Sequence, residues 1–279
     1  MSIDLEAEYN NRARVPTHAA IIAGWERDAA AYREEAATRH RVIRYGETPR
    51  QMIDVFAPEK PRPGAMPVLF IHGGYWQMLE PSQFSHLAKG LNAHGISVGI
   101  AGYDLCPDVS ISQINEQMIK ATMALHHDQQ SRIVVSGHSA GGHLAACLAA
   151  AAWEDVDAAL PENLVAAGLA ISGLFELEPL VPTSVNAKLG LDFMDARMLS
   201  PRLWLPPVDM TFEAWVGAKE SAEYHRQSQG IAAVWSAAGN RTAYVEVPGA
   251  NHFTVIEGLA DSASPMTRRL AEMALGSSA

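Results

Sequence analysis

From Val68 onward the sequence alternates between short apolar runs and helical stretches, and this alternation constrains the fold more than any other feature. Six runs have the character of buried strands: Val68–Ile71, Ser97–Ala101, Arg132–Ser136, Val165–Ser172, Met210–Val216 and Ala243–Val247. Between most of them lie helical stretches, such as Phe84–Ala93, Ile111–His127 and Ala140–Trp153. Strands that alternate with helices form βαβ crossovers, so the pattern predicts an α/β fold with a mostly parallel sheet and helices on both faces.

The residues before Val68 add two strands and an arm. Two β-rich stretches, Arg41–Tyr45 and Gln51–Ala57, bring the number of expected strands to eight. Residues 4–38 have a helical pattern that breaks at Pro16, because proline cannot continue a helix. We interpret residues 1–38 as an N-terminal helical arm rather than a separate domain.

Residues 176–207 interrupt the alternation with five prolines and two short helical pieces. A segment of this length inside an α/β domain often covers the site as a cap. An ordinary crossover on the far face of the sheet is the alternative. Since no internal repeat or low-complexity linker divides the chain, we expect a single domain over residues 1–279.

Composition excludes several classes of partner. The formal net charge is −10 and Lys and Arg do not cluster, so neither a nucleic acid nor a membrane surface is an expected partner. The longest apolar run, Leu144–Trp153, has ten residues and is too short to span a bilayer. The acidic start Met1–Glu6 lacks the apolar segment of a signal peptide, which favours a cytoplasmic location. Cys106 and Cys147 lie outside any metal-binding or redox pattern and are expected to be buried.

Ser139 carries the strongest local signal for chemistry, in the run Gly137-His138-Ser139-Ala140-Gly141. The run follows a predicted strand and precedes an alanine-rich helix, and a serine at such a corner is typical of a hydrolytic nucleophile. The flanking glycines leave room for a strained turn, and the helix N-terminus favours developing negative charge. The pattern predicts Ser139 as the nucleophile, with a plain serine in a glycine-rich turn as the alternative.

Two further glycines follow the strand Val68–Ile71, in the run His72-Gly73-Gly74-Tyr75-Trp76. Because glycine lacks a Cβ atom, the N–H groups of Gly73 and Gly74 can turn into a site without steric cost. Together with the N–H of Ala140 they are predicted to form an oxyanion hole.

An acid and a general base are expected after the last two strands, in the chain order nucleophile, acid, base. Glu220 is the only carboxylate in the loop that follows Met210–Val216. His252 comes just after Ala243–Val247, and no other of the eleven histidines has that position. We therefore predict Glu220 as the acid and His252 as the base, and expect His138 beside the nucleophile to pack or hydrogen-bond locally.

These residues together resemble the kynurenine formamidase (arylformamidase) branch of the α/β-hydrolases, from about Arg50 to Ala260. The most specific matches are His72–Trp76, Tyr103–Pro107, Gly137–His143, Glu220–Ser228 and Asn251–Phe253. The resemblance implies the α/β-hydrolase fold and hydrolysis of N-formyl-L-kynurenine, or of another small-acyl amide or ester. One departure is that the acid of the family is commonly Asp, whereas Glu220 carries an extra methylene, a displacement of about 1.5 Å.

The expected reaction is acyl transfer to water without a metal or an organic cofactor. The expected substrate is a small-molecule amide or ester with aromatic character. Candidate binding residues, each equally compatible with the core, are Tyr75, Trp76, Phe175, Phe193 and Trp204. A short-chain carboxylesterase, another aryl amide or carbamate hydrolase, and an inactive hydrolase fold that serves as a ligand receptor are the alternatives. The sequence leaves a homodimer open.

Overall fold

A computed structural model describes residues 3–276, so the first two and last three positions of the expected domain lie outside the described residues. The strands are β1 (His40–Arg44), β2 (Met52–Phe56), β3 (Val68–Ile71), β4 (Val98–Ala101), β5 (Ile133–His138), β6 (Val165–Ile171), β7 (Thr211–Gly217) and β8 (Arg241–Val247). They form one sheet in the order β1-β2-β4-β3-β5-β6-β7-β8. Only the pairs β1–β2 and β2–β4 are antiparallel. The predicted class, α/β with a mostly parallel eight-stranded sheet, is confirmed.

The helices that follow and flank these strands are α1 (Leu5–Tyr9), α2 (Asn11–Arg14), α3 (His18–Glu35), α4 (Ala88–Ala93), α5 (Ile111–Gln129), α6 (Ala140–Ala149), α7 (Trp153–Val156), α8 (Asn186–Leu189), α9 (Phe193–Met198), α10 (Ala222–Ala237) and α11 (Pro265–Ala274). Short 3₁₀ turns lie at Pro81–Leu87, Glu178–Leu180, Pro201–Leu203 and Val255–Ala260. Within residues 3–276, no helix has both the length and the apolar character needed to cross a membrane.

The apolar runs are continuous because both faces of the sheet are buried. In β3, Leu69 and Ile71 pack into one hydrophobic cluster, whereas Val68 and Phe70 pack into a second one. Successive side chains of a strand point to opposite faces, so a strand that is covered on both sides needs apolar residues throughout. Each fully buried aliphatic or aromatic side chain contributes about 1.5–3 kcal/mol to the free energy of folding.

The structure differs from the sequence expectations mainly at the ends of elements. The arm breaks twice rather than once, because the Asn10 side chain accepts from the N–H of Ala13 and begins a new helix six residues before Pro16. Strand β5 extends through His138 instead of ending at Ser136, since the added residues pair with β6. The apolar pattern marks the buried part of a strand, whereas backbone pairing sets its end.

The strand order brings two of the predicted motifs together. Strand β3 lies between β4 and β5, although β4 is the next strand along the chain. The chain therefore leaves β3 toward one side and returns across it, which opens a crevice beyond the carboxyl ends of β3 and β5. The loops after these two strands contain Gly73, Gly74 and Ser139.

Candidate active site

Ser139 occupies a sharp corner between β5 and α6. Its backbone has φ 56° and ψ −117°, a left-handed conformation that is costly for any residue with a side chain. A Cβ atom on Gly137 would lie 2.1 Å from the carbonyl oxygen of Gly141, and one on Gly141 would lie 2.0 Å from that of Ile71. Both neighbours must therefore be glycine for the corner to form.

The three residues predicted to act together form one hydrogen-bonded chain. His252 Nε2 lies 3.1 Å from Ser139 Oγ, and His252 Nδ1 lies 2.7 Å from Glu220 Oε2. An ionised carboxylate can only accept a hydrogen bond, so the His252 proton is on Nδ1 and Nε2 is available to accept from Ser139. The side chain of Glu220 is fully buried. This geometry permits general-base activation of a serine.

The carboxylate of Glu220 is held by two donors besides His252. Its Oε1 accepts from the N–H of Gly217 at 2.7 Å and from the Ser172 hydroxyl at 2.5 Å. These contacts leave Oε2 to His252 and accommodate the extra methylene of a glutamate. Sequence reasoning missed Ser172; its position directly after β6, next to β7 in the sheet, is the signal that could have identified it.

His252 is positioned by its own loop and by a second histidine. The Asn251 side chain accepts from the N–H groups of Phe253 and Thr254, which closes a tight turn around His252. His138 Nε2 donates to the carbonyl oxygen of His252 at 2.8 Å, and the two rings are 4.7 Å apart. Burial lowers the pKa of His138 well below its ordinary value, so this imidazole is neutral. The sequence led us to expect that His138 interacts locally. Its hydrogen-bond partner is instead 114 residues away in the chain.

The loop after β3 lies directly against Ser139. A Cβ atom on Gly73 would lie 3.0 Å from the Cβ atom of Ser139, so only glycine permits this approach. The Tyr103 hydroxyl donates to the carbonyl oxygen of His72 at 2.8 Å, and also lies 3.3 Å from that of Gly73. In a trans peptide the N–H points away from the preceding carbonyl, so these contacts turn the N–H groups of Gly73 and Gly74 away from Tyr103. The N–H of Ala140, the first residue of α6, has no partner within its helix.

A pocket of about 170 Å³ includes Ser139 and His252. We call it the Ser139 pocket. We call the loops that follow β3, β5, β6, β7 and β8 the floor of this pocket, and the lining residues Tyr9–Arg12, Ser184 and Val185 its roof. In the part of the chain that the structure describes, no group of three or more His, Cys, Asp or Glu side chains is placed to hold a metal ion.

The aromatic residues expected to bind substrate divide into two groups. Tyr75 lines the Ser139 pocket. Trp76 is instead fully buried in the core, with its ring edge-on to His143 at 5.1 Å, and Phe175 is also fully buried. Trp204 borders a different cavity, and Phe193 is exposed outside the lining of the Ser139 pocket. The expectation that these four contact substrate is therefore corrected, because a sequence shows that a loop residue is aromatic but not the direction in which its side chain points.

Buried polar contacts hold the arm over the Ser139 pocket. The Tyr9 hydroxyl donates to Glu223 Oε2 at 2.8 Å, and Asn11 Nδ2 donates to the Tyr224 hydroxyl at 2.8 Å. The Tyr75 hydroxyl donates to the carbonyl oxygen of Tyr9 at 2.6 Å. Sequence reasoning missed the arm as part of the site, since the partners of Tyr9 and Asn11 are more than 200 residues away.

The segment 176–207 borders the same pocket. The N–H and hydroxyl groups of Ser184 donate to Glu6, each at 2.8 Å, and the N–H lowers the pKa of that carboxyl below its ordinary value. Gln77 Nε2 donates to the carbonyl oxygen of Val185 at 2.8 Å. The arm, the loop after β3 and the segment 176–207 thus meet at one edge of the pocket, while a mobile cap stays a prediction.

Comparison with known proteins places this geometry in context. A family described as having the α/β-hydrolase fold matches residues 68–256. The chain is 31% identical to the kynurenine formamidase of Drosophila melanogaster over 243 residues, 82% of this chain and 79% of that protein. It is 29% identical to the kynurenine formamidase of Danio rerio over 240 residues, 83% of this chain and 80% of that protein. A solved structure from Silicibacter sp. TM1040, provisionally named a thioesterase, has a TM-score of 0.83 at 34% identity and covers 96% of this chain and 98% of its own.

Proposed function

The chain belongs to the α/β-hydrolase family, in its kynurenine-formamidase-like branch, and we propose that it hydrolyses N-formyl arylamines of the N-formylkynurenine type through Ser139, His252 and Glu220. The relatives are kynurenine formamidases and a provisionally named thioesterase, all of them hydrolases of an acyl bond, and the resemblance seen in the sequence is confirmed. The observation that carries the proposal is the hydrogen-bonded chain from Ser139 Oγ through His252 to Glu220, at the floor of a pocket.

In the proposed mechanism, Ser139 Oγ attacks the acyl carbon while His252 Nε2 accepts the hydroxyl proton. Glu220 keeps the imidazole in the required orientation and stabilises the imidazolium. The N–H groups of Gly73, Gly74 and Ala140 bind the oxyanion, and each such donor contributes about a hundredfold to a thousandfold in rate.

The tetrahedral intermediate then breaks its C–N bond. His252 donates its proton to the leaving nitrogen, and the free amine departs from the formyl-enzyme. Water attacks the ester carbon of the formyl-enzyme while His252 accepts one of its protons, and that proton returns to Ser139 Oγ as formate is released. The cycle needs only groups that lie at the floor of the Ser139 pocket.

The lining of the pocket supports an aromatic leaving group. Besides Tyr75, three aromatic side chains border the Ser139 pocket: Tyr9, Trp25 and Phe253. Aromatic walls of this kind bury a planar ring with favourable edge and face contacts. Arylamines are also better leaving groups than alkylamines. The C–N bond of an N-formyl arylamine therefore breaks more readily once His252 has donated its proton.

The test is a paired assay with N-formyl-L-kynurenine and p-nitrophenyl acetate. We expect both substrates to be hydrolysed, with a higher kcat/KM for the formamide. The Ser139→Ala variant should lose at least about a thousandfold in kcat on both and no longer be labelled by a fluorophosphonate. A strong preference for the ester would contradict the formamidase proposal and favour a short-chain carboxylesterase.

A further inference from the structure

Among the described residues that line the Ser139 pocket, Arg12 alone has a side chain of the Lys, Arg, Asp or Glu type. A cation in this position is unexpected in a chain of net charge −10. Its Nη2 donates to the Met78 sulfur at 2.8 Å, a neutral and weak acceptor. A guanidinium carries five N–H donors, so most of its hydrogen-bonding capacity faces the pocket opening or solvent.

The two carboxylates of α1, and that of Glu223 beside it, bind other partners. Glu6 accepts from the two donors of Ser184, and Glu8 accepts from the N–H of Glu223 and lies 3.8 Å from Arg14. The carboxylate of Glu223 binds the guanidinium of Arg226. None of the ion pairs formed by residues 3–276 includes Arg12. Its charge is therefore unneutralised at the edge of the pocket.

The backbone that carries Arg12 is fixed on both sides. Asn10 Oδ1 accepts from the N–H of Ala13 at 3.1 Å, which caps α2. Asn11 is buried and its side chain binds the Tyr224 hydroxyl, whose ring lies 4.7 Å from that of His252. These contacts tie the turn that bears Arg12 to the residues around the predicted base.

We propose that Arg12 is the residue that binds the carboxylate which substrates of the N-formylkynurenine type carry on the amine side, so that Arg12 selects for N-acyl arylamines with this group. This inference rests on the proposed function and names a specificity determinant for it. A guanidinium matches a carboxylate with two parallel N–H···O hydrogen bonds. A formyl group carries only a hydrogen atom on its carbonyl carbon. The carboxylate therefore belongs to the leaving amine.

The first experiment compares N-formyl-L-kynurenine with its α-carboxamide, in which a neutral group replaces the carboxylate. In Arg12→Gln, the ratio of kcat/KM for the carboxylate to kcat/KM for the carboxamide should fall about tenfold, mainly through KM. Arg12→Lys keeps the charge but loses the planar fork, and should lower the ratio about threefold. The control Arg14→Gln, on the same helix but outside the pocket lining, should leave the ratio unchanged. An unchanged ratio in Arg12→Gln would overturn the inference.

A second experiment does not depend on turnover of a formamide. 3-Phenylpropanoate and 3-phenylpropanamide are compared as competitive inhibitors of p-nitrophenyl acetate hydrolysis. Arg12→Gln should raise the inhibition constant of the anion about tenfold relative to that of the amide. In the protein without substitutions, added salt should reduce the difference between the two inhibition constants. Equal changes for both inhibitors would reject Arg12 as a carboxylate site. Failure of the chain to cleave either formamide would instead reject the proposed function, so the two failures are distinguishable.

Discussion

The floor of the Ser139 pocket consists of loops that each follow a strand, whereas its roof consists of side chains that reach across from the arm. Ser139, Ser172, Glu220 and His252 follow β5, β6, β7 and β8, four neighbouring strands. Pairing of the sheet therefore fixes their backbones. The arm, in contrast, is held over the pocket by hydrogen bonds from residues such as Tyr9 and Asn11.

This difference separates chemistry from substrate selection. Backbone pairing of a central sheet is shared by many residues, so one substitution on the floor removes a functional group and leaves its neighbours in place. Each buried side-chain hydrogen bond in the roof contributes only about 1 kcal/mol. We therefore expect floor substitutions to lower kcat and roof substitutions to raise KM.

The largest effect is expected for Glu220→Gln on the floor. The amide cannot stabilise the imidazolium and permits the wrong tautomer of His252, so kcat should fall about a hundredfold to ten-thousandfold with little change in KM. Steady-state kinetics with N-formyl-L-kynurenine measure both constants. The control Glu246→Gln, at a half-exposed side chain on β8, should keep kcat within about twofold. A fall of less than about tenfold in Glu220→Gln would remove Glu220 from the mechanism.

A second prediction concerns His143, which links the floor to the segment 176–207 through its bond to the carbonyl oxygen of Leu199. Burial lowers the pKa of His143 to about 4, below the value near 6.5 expected for the unfolded chain. The unfolded state then binds more protons at mildly acidic pH. The stability contributed by neutral His143 is therefore full above pH ~6.5 and is lost as pH falls toward 4.

Between pH 7 and 5 this histidine should lower the free energy of unfolding by about 2 kcal/mol. His143→Gln keeps a donor for Leu199 but does not titrate, so urea unfolding of this variant should show a correspondingly smaller loss over the same range. The control is His127→Gln, at an exposed histidine. Its free energy of unfolding should change with pH as that of the parent protein does. Identical slopes in His143→Gln and the parent would contradict the assignment.

For the roof, we expect Asn11→Ala to raise KM about fivefold to tenfold while kcat changes less than about threefold. The substitution removes the 2.8 Å bond to the Tyr224 hydroxyl and loosens the turn that bears Arg12. A double-mutant cycle with Tyr224→Phe measures whether both changes act through this one bond, in which case the second adds little to the first. If kcat falls as far as KM rises, the separation of floor and roof is wrong.

The smallest effect is expected for Ser172→Ala, which removes one of the donors that hold Glu220. Because the N–H of Gly217 and His252 Nδ1 still bind the carboxylate, kcat should fall only about threefold to fivefold. Ser131→Ala, at a partly exposed position two residues before β5, is the matched control. Ser172 has φ 51°, so Ser172→Gly, which tolerates this backbone, should show the same loss if the hydroxyl and not backbone strain is responsible.

Much of the floor follows from the order of motifs along the chain. The apolar runs predicted the strands of the parallel sheet, and the residue types after four of them indicated Ser139, Glu220, His252 and the pair Gly73–Gly74. The structure brings these residues together, and their catalytic roles stay a proposal. Ser172 was not predicted, because a serine after a strand belongs to no recognisable sequence motif.

The sequence by itself determined the fold class, because buried strands and helices differ in the period of their apolar residues. It also indicated Ser139, Glu220 and His252 as neighbours on the floor, because parallel strands all bring their carboxyl ends to one edge of the sheet. Only the tertiary structure decided that Trp76 and Phe175 face the core while Tyr9, Asn11 and Arg12 border the pocket. Side-chain direction in a loop and contacts between residues about 200 positions apart depend on packing, and no local pattern encodes them. Ser139 was therefore recognised as the predicted nucleophile from its neighbours in sequence, whereas Arg12 was recognised as the proposed carboxylate-binding residue only from its neighbours in space.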